Sequence, residues 1–369
     1  MILKEAQNKF LNLMREINSE KDKTEFLKWI SYNWDLENLN DADEKDSGKE
    51  ILNAIAEELR PMVPFNAILP SENICMPSYG PNSDCKSINT IHVDEFLYDD
   101  DYINKLIDDG ELSRHYCGKC FSKDIKLLTF ISHSMSISRI HYVFKYLLKP
   151  LETETILDVG YINKLIDDGE LSRHYCGKCF SKDIKLLTFI SHSMSISRIH
   201  YVFKYLLKPL ETETILDVGS RLGPVLYGAY IYTSSPNIIG VEINSELCNF
   251  QSIIVKKFNF DDRIKIVCNN IFNCMDILSS ADVIILNNVF EFFGDGDTSI
   301  SSWQLLAKTI KIGCIIVTVP HLEETFKHFK VNFDWKDWVD ELEPYEKNFY
   351  GDDDEEYENH AKNVKHYMV

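Results

Sequence analysis

From Ser193 onward, short runs of Val, Ile and Leu alternate with stretches whose apolar residues recur at helical spacing. Ile196, Ile199, Phe203, Leu206 and Leu207 share one helix face. The pattern then predicts a strand over 214–218, a helix over 223–232, a strand over 237–243 and a helix over 245–258. A strand over 263–268, a short helix over 272–278 and a strand over 282–286 follow, then a helix over 300–309 and a strand over 314–319. Unbroken aliphatic strands separated by amphipathic helices imply a parallel sheet covered on both faces. With right-handed crossovers, the expected fold is α/β: a doubly wound, mostly parallel, Rossmann-like sheet whose ligand lies beyond the carboxyl ends of its strands.

The first third reads differently. Leu3, Phe10, Leu13, Met14 and Ile17 recur at helical spacing, as do Phe26, Leu27 and Ile30. Ser47-Gly48-Lys49-Glu50 has the form of a capping box ahead of Ile51, Leu52, Ile55, Ala56 and Leu59, and Pro61 closes that helix. Asn38–Lys49 is acidic, and the five prolines of Pro61–Cys85 predict an irregular segment. These features amount to an N-terminal helical extension.

Between the two patterns lies a perfect repeat. Tyr102–Gly160 recurs without a change as Tyr161–Gly219, a unit of 59 residues. Solenoid repeats diverge and come in threes or more, so two identical copies read as a very recent duplication or an error in the gene model. Both end in Thr-Ile-Leu-Asp-Val-Gly, but only the second continues into a glycine turn, Ser220-Arg221-Leu222-Gly223. A strand that feeds a ligand-binding loop must be continuous with it, which makes Thr214–Gly219 the expected working strand. The expected organisation is a helical and irregular region over 1–101, a peripheral duplicate over 102–160, a Cys-x-x-Cys linker over 161–192 and a Rossmann-like domain over 193–369.

Of the 369 residues, 44% are hydrophobic and 26% charged, a soluble globular composition. No stretch approaches the ~18–20 apolar residues of a membrane span. Met1–Phe10 carries Lys4, Glu5 and Lys9, unlike a signal peptide, so an intracellular chain, cytoplasmic or nuclear, with reduced cysteines is expected. The net charge of −19 is carried by the two ends, each repeat copy being nearly neutral. Such a surface opposes broad phosphate-backbone binding and repels anionic membranes.

Four loops leave the carboxyl ends of the expected strands. Asp217-Val218-Gly219-Ser220-Arg221-Leu222-Gly223 is a glycine bend ahead of a helix N-terminus, suited to close backbone approach by a ligand. Glu242 closes the second strand, where a carboxylate accepts from ribose hydroxyls, each such bond contributing ~1.5–3 kcal/mol. Asn269-Asn270 follows the third strand, with side chains able to meet an adenine edge. Asn287-Asn288-Val289-Phe290-Glu291-Phe292-Phe293 follows the fourth, where a reacting group would lie.

With these motifs, the segment from about Ser193 to Pro320 resembles class I, Rossmann-like, seven-strand S-adenosylmethionine-dependent methyltransferases. The resemblance implies that Asp217, Gly219, Ser220 and Gly223 hold the methionine part of S-adenosylmethionine, Glu242 the ribose and Asn270 the adenine amine. It places Asn287 beside the reacting methyl and makes Val289-Phe290-Glu291-Phe292 the turn after strand four. It also implies that Asn363–Val369 ends the sheet in an antiparallel pair. Three positions depart from the family pattern. Arg221 replaces the central glycine, where it either crowds the cofactor or approaches its carboxylate. Asn270 replaces an acid, and Phe292 stands where relatives carry a histidine. No Asn-Pro-Pro-Tyr-type motif supports adenine or glutamine N-methylation. The expected activity is methyl transfer to an unidentified acceptor, a small molecule or protein rather than nucleic acid. The alternative is a catalytically degenerate cofactor-binding or scaffold protein, zinc-stabilised or not.

Cys176-Gly177-Lys178-Cys179 and its twin Cys117-Gly118-Lys119-Cys120 each suit one half of a tetrahedral zinc site. The sequence does not say what completes it: Cys75, Cys85, His174 and His192 are candidates, and the plainer reading is a pair of free thiols in a turn. Cys248, Cys268, Cys274 and Cys314 read as core residues. Phe326, Phe329, Phe333, Trp335 and Trp338 read as packing of a helix and an edge strand or as an acceptor-pocket wall, and Asp352–Glu356 as a solvated run.

Overall fold

The computed structural model describes residues 47–72, 85–86, 88–127, 174–289, 296–327, 335–346 and 354–369, together with residues 19, 23 and 142. The helices expected before residue 38, Cys75, the turn residues Phe290–Phe293, and Phe329 and Phe333 lie outside these residues. In chain order, helix α1 is Ser47–Leu59, strand β1 Thr90–His92, and α2 Asp100–Asp108. Four short strands follow, β2 His115–Cys117, β3 Ile125–Leu127, β4 His174–Cys176 and β5 Ile184–Leu186, then β6 Thr188–Ile190 and α3 Ile196–Tyr201, which runs on as a π turn over Val202–Leu206. The remaining chain alternates: β7 Thr214–Val218, α4 Pro224–Tyr232, β8 Asn237–Glu242, α5 Ser245–Lys257, β9 Ile264–Cys268, α6 Met275–Ser280 and β10 Val283–Asn287. Helix α7 Gly296–Thr309, β11 Ile315–Val319, α8 Leu322–Lys327, β12 Asp340–Glu341, α9 Asp354–Asn363 and β13 Lys365–Met368 complete it.

Seven strands form one mixed sheet in the order β12-β13-β11-β10-β7-β8-β9. Strands β7 to β11 are mutually parallel, and β13 enters antiparallel between β11 and β12. The chain winds outward from β7 through β8 to β9, then returns to β10 on the other side of β7. That reversal leaves a crevice at the carboxyl ends of β7 and β10. Three two-stranded ladders stand beside this sheet: β1 with β6, β2 with β5 and β3 with β4.

Alternation within the strands divides the core between two faces. Ile215, Ile238, Ile264, Val283, Ile285 and Val317 bury against α1, α3, α4 and α5. Leu216, Val241, Ile284, Leu286 and Ile316 bury with Leu278, Trp303, Leu306, Leu322 and Phe326 from the opposite side. Helix ends follow from local chemistry. The Asn244 side chain accepts from the amides of Glu246 and Leu247 to start α5, and Ser195 and Asp99 do the same for α3 and α2. Pro224 opens α4, where its missing N–H has no partner to lose.

Part of the first copy belongs to the main core. Residues 102–127 of the first copy are built in: Ile103 is buried in the main core with Tyr102 and Ile107 packed against it. The second copy supplies β6, α3 and β7. Residues 128–173, except Tyr142, lie outside the described set, and both copies contribute their Cys-x-x-Cys turns. These turns pair with one another through β2–β5 and β3–β4.

Helix α4 lies so close to α3 that a Cβ on Gly228 would stand 2.1 Å from Ile199 Cγ2. Gly228→Val therefore forces the two helices apart, and overpacking of this kind costs ~1–3 kcal/mol. Urea unfolding should show that loss as a lower midpoint with an unchanged slope; an unmoved midpoint would mean the helices are not held at this distance.

Candidate functional site

The site starts where β7 ends. Gly219 takes φ +71 and Gly223 φ +84, both in the left-handed region that glycine enters at little cost. The bend between them leans on the neighbouring strand: Gly219 N–H donates to the Val241 carbonyl at 2.8 Å, and Arg221 N–H donates to Glu242 Oε2 at 2.9 Å. The other carboxylate oxygen, Oε1, accepts from Asn244 N–H at 2.8 Å. Gly240 allows this closeness, since a Cβ there would stand 2.6 Å from Leu226 Cδ1 and 2.9 Å from Ser220 Oγ. Ser220 Oγ donates to Gln251 Oε1, and Gln251 Nε2 donates to the Arg221 carbonyl, so α5 holds the bend from behind. Glu242 and the glycine bend thus share one crevice, as the spacing of the motifs requires.

Burial sets the electrostatics. Asp217 is 3% exposed, and desolvation together with the nearby Glu242 charge pushes its carboxyl up to about 8. It makes no hydrogen bond among the described residues. Glu242 is also raised by burial, while the amides of Asn244 and Arg221 and the Arg221 charge pull it back. Asn287 donates from Nδ2 to the His192 carbonyl at 3.0 Å, yet its Oδ1 is buried without a partner among the described residues. Because Leu286 pairs with Val218, Asn287 stands level with Gly219 across the crevice. Asn287 Oδ1, an unpartnered acceptor, and Asp217, protonated near pH 7 with one O–H donor and free acceptor lone pairs, therefore flank the bend. Such a set suits a ligand that brings its own N–H groups.

Asn270 caps a short turn, its Oδ1 accepting from Phe272 N–H at 2.9 Å, and the second lone pair of that carbonyl is available to an amine. Ile243, directly after Glu242, is 67% exposed, an apolar surface beside the carboxylate and Asn270 loops that sequence reasoning passed over. Its signal was an isoleucine one step beyond the end of a strand, where burial no longer explains it. Val289 lies 3.7 Å from the position a Cβ on Gly219 would take.

Arg221 follows neither expected course. At φ +46 it holds the left-handed conformation of the glycine it replaces. Its guanidinium turns to the N-terminal region, pairing with Glu72 through Nη1 and donating to the Ala67 carbonyl from Nη2 at 2.8 Å. Both side chains of the ion pair are almost fully buried. Ser71 adds to this strap by donating to Glu246 and accepting from Asn244.

A second element reaches the site from β1 and β6. His92 Nδ1 lies 3.0 Å from His192 Nε2, and the Ser193 hydroxyl donates to the buried Asp94 carboxylate. Burial, reinforced by Arg221, lowers His192 to about 3 and lowers His92 as well, so both imidazoles are neutral near pH 7. His192 is thus a partner of His92 and not of the cysteine pair considered for it from the sequence. His174 likewise meets His115, ring centroids 4.6 Å apart.

No family model matches this chain, and no curated protein matches it. Solved structures do. An RNA methyltransferase from Salinibacter ruber in complex with S-adenosyl-L-homocysteine is 15% identical, with 47% of this chain and 88% of that one covered at a TM-score of 0.30. A precorrin-6y C5,15-methyltransferase from Geobacter metallireducens is 15% identical over 36% and 68% of the two chains, at 0.29. A precorrin 8w decarboxylase from Methanobacterium thermoautotrophicum is 13% identical over 48% and 91%, at 0.32. These weak likenesses stand beside the fold read from the chain's own strand order and register.

Asp217 gives a pH signature. With its carboxyl at about 8 in the folded chain and ~3.9 in the unfolded one, the folded state holds the extra proton across that window. Stability should therefore fall as pH rises from about 4 to 8 and level off above. Asp217→Asn removes this slope, so its melting temperature should gain on wild type steadily between pH 5 and 8. Parallel curves for the two proteins would rule out the raised carboxyl.

Proposed function

We propose that this chain is an S-adenosylmethionine-dependent methyltransferase of the doubly wound, Rossmann-like kind. The observation that carries the reading is the meeting of the Gly219 bend and the Glu242 carboxylate in one crevice, joined through Arg221 N–H. Glu242 has lone pairs left for ribose hydroxyls after accepting two amides. Asp217, Gly219, Ser220 and Gly223 would receive the amino-acid end, whose ammonium N–H groups suit the unpartnered Asn287 Oδ1 and the acceptor lone pairs of Asp217. Asn270 and the exposed Ile243 would receive the base by one hydrogen bond and apolar contact. The cofactor, when bound, supplies a methyl group activated on a positive sulfur. What this chain adds is placement: positioning an acceptor in line with that methyl supplies much of the acceleration without an acid or base.

The acceptor we favour is a small molecule or a protein side chain, because a net charge of −19 opposes a long nucleic acid. A second reading, cofactor binding without turnover, is supported by Arg221, whose guanidinium is committed to Glu72 rather than to any ligand. Calorimetry with S-adenosylmethionine and S-adenosylhomocysteine tests both. Binding with release of labelled methyl to a component of cell extract supports the enzyme, binding of both without transfer supports the second reading, and no heat from either ends both.

Glu242 also braces the fold, which changes what its removal should do. Glu242→Ala should lower affinity for S-adenosylhomocysteine at least tenfold and also cost ~1–3 kcal/mol of stability, because the Arg221 and Asn244 amides lose their acceptor. Glu242→Gln keeps one acceptor oxygen and should recover more stability than affinity. Calorimetry and thermal melts on both variants check this; full affinity in Glu242→Ala would show that the ribose lies elsewhere.

A further inference from the structure

We infer that the two copies of the duplicated segment jointly hold one zinc ion through Cys117, Cys120, Cys176 and Cys179. The four sulfurs lie within 4.8 Å of one another. The cross-copy pairs Cys117–Cys179 and Cys120–Cys176 are each 3.4 Å apart, too far for a disulfide, whose S–S length is ~2.05 Å. Four thiolates around one zinc at ~2.3 Å are separated by ~3.8 Å in a tetrahedron, and the cluster sits in that range. The partner that the sequence left open for each Cys-x-x-Cys turn is its own twin.

The surroundings are those of a metal knuckle, twice over. Phe121 and Phe180, each following the second cysteine, take φ +58 and +55, and their amides donate back to the Cys117 and Cys176 carbonyls at 2.9 Å. Cys179 N–H points at Cys176 Sγ at 3.5 Å, a bond to sulfur of the kind that orients and stabilises a thiolate. Gly118 N–H donates to the Asp183 carbonyl and Gly177 N–H to that of Asp124, both at 2.8 Å, so each turn is braced by the other copy. The strand registers obey the same exchange: His115 faces Leu186 while Leu127 faces His174. Identical segments meeting about a local two-fold make a self-complementary contact. The duplication has placed both halves of such a contact in one chain.

An apolar core does not explain the assembly. Its four strands have three residues each, and Leu127, Leu186, Phe121 and Phe180 are at least half exposed. Cys117 and Cys176 are its fully buried side chains, so the centre of the module is sulfur. Ladders this short need a staple, and a structural tetrathiolate zinc provides one. The staple also bears on the crevice, because Leu187 N–H donates to the Arg114 carbonyl and β6 begins at the next residue, leading to His192 and its contact with Asn287.

Purified full-length protein, prepared without added metal and analysed by mass spectrometry of its metals, should carry one zinc per chain. Cobalt substitution should give the visible absorption of a tetrahedral tetrathiolate. Cys120→Ser with Cys179→Ser, at the two exposed positions, should abolish that spectrum and drop zinc at least tenfold while S-adenosylhomocysteine binding, read separately by calorimetry, reports on the crevice. Deleting Tyr102–Gly160 leaves one turn per chain, so zinc should be lost or be shared as one ion between two chains on a sizing column. Zinc well below one per full chain, cysteines paired as disulfides, or a full zinc per monomer in the single-copy chain would each overturn the inference.

Discussion

The Glu242 carboxylate is the constraint on which the crevice rests. It is a buried charge whose two oxygens accept from the backbone of two different loops, Arg221 after β7 and Asn244 after β8. Burying such a group is costly unless it is paired, and here it is paired with amides whose own partners would otherwise be missing. The mutual need fixes the height of the glycine bend over the sheet. Each oxygen accepts one amide and keeps a further lone pair.

Arg221 extends this knot to the rest of the chain. A residue that holds a glycine's conformation must be kept there by contacts elsewhere, and the buried pair with Glu72 does so. A broken pair of that kind would leave an uncompensated buried charge, which typically costs ~3–5 kcal/mol. The irregular segment around Ala67–Glu72 is thereby tied to the bend, while Ser71 ties it to Asn244 and Glu246. From the other side, the His92–His192 pair is anchored by Asn287. Elements far apart in sequence thus converge on the loops that leave four adjacent strands.

The duplication adds a third kind of constraint. The first copy provides α2, the second provides β6, α3 and β7, and the identical turns between them close on each other.

Periodicity alone determined the alternating elements: β7, β8, β9, β10 and β11 lie within a residue or two of where aliphatic runs placed them, and α5 begins after Asn244 as helix-capping chemistry predicts. These are local properties, decided by spacing and by side chains bonding to nearby backbone. The glycine bend and the acid closing the second strand were legible for the same reason, being features of strand ends. Tertiary structure alone decided that Arg221 turns to Glu72, that His192 meets His92, and that each Cys-x-x-Cys turn finds its twin. Those pairings join residues tens to more than a hundred positions apart. They depend on desolvation and on three-dimensional register, neither of which leaves a periodic trace along the chain.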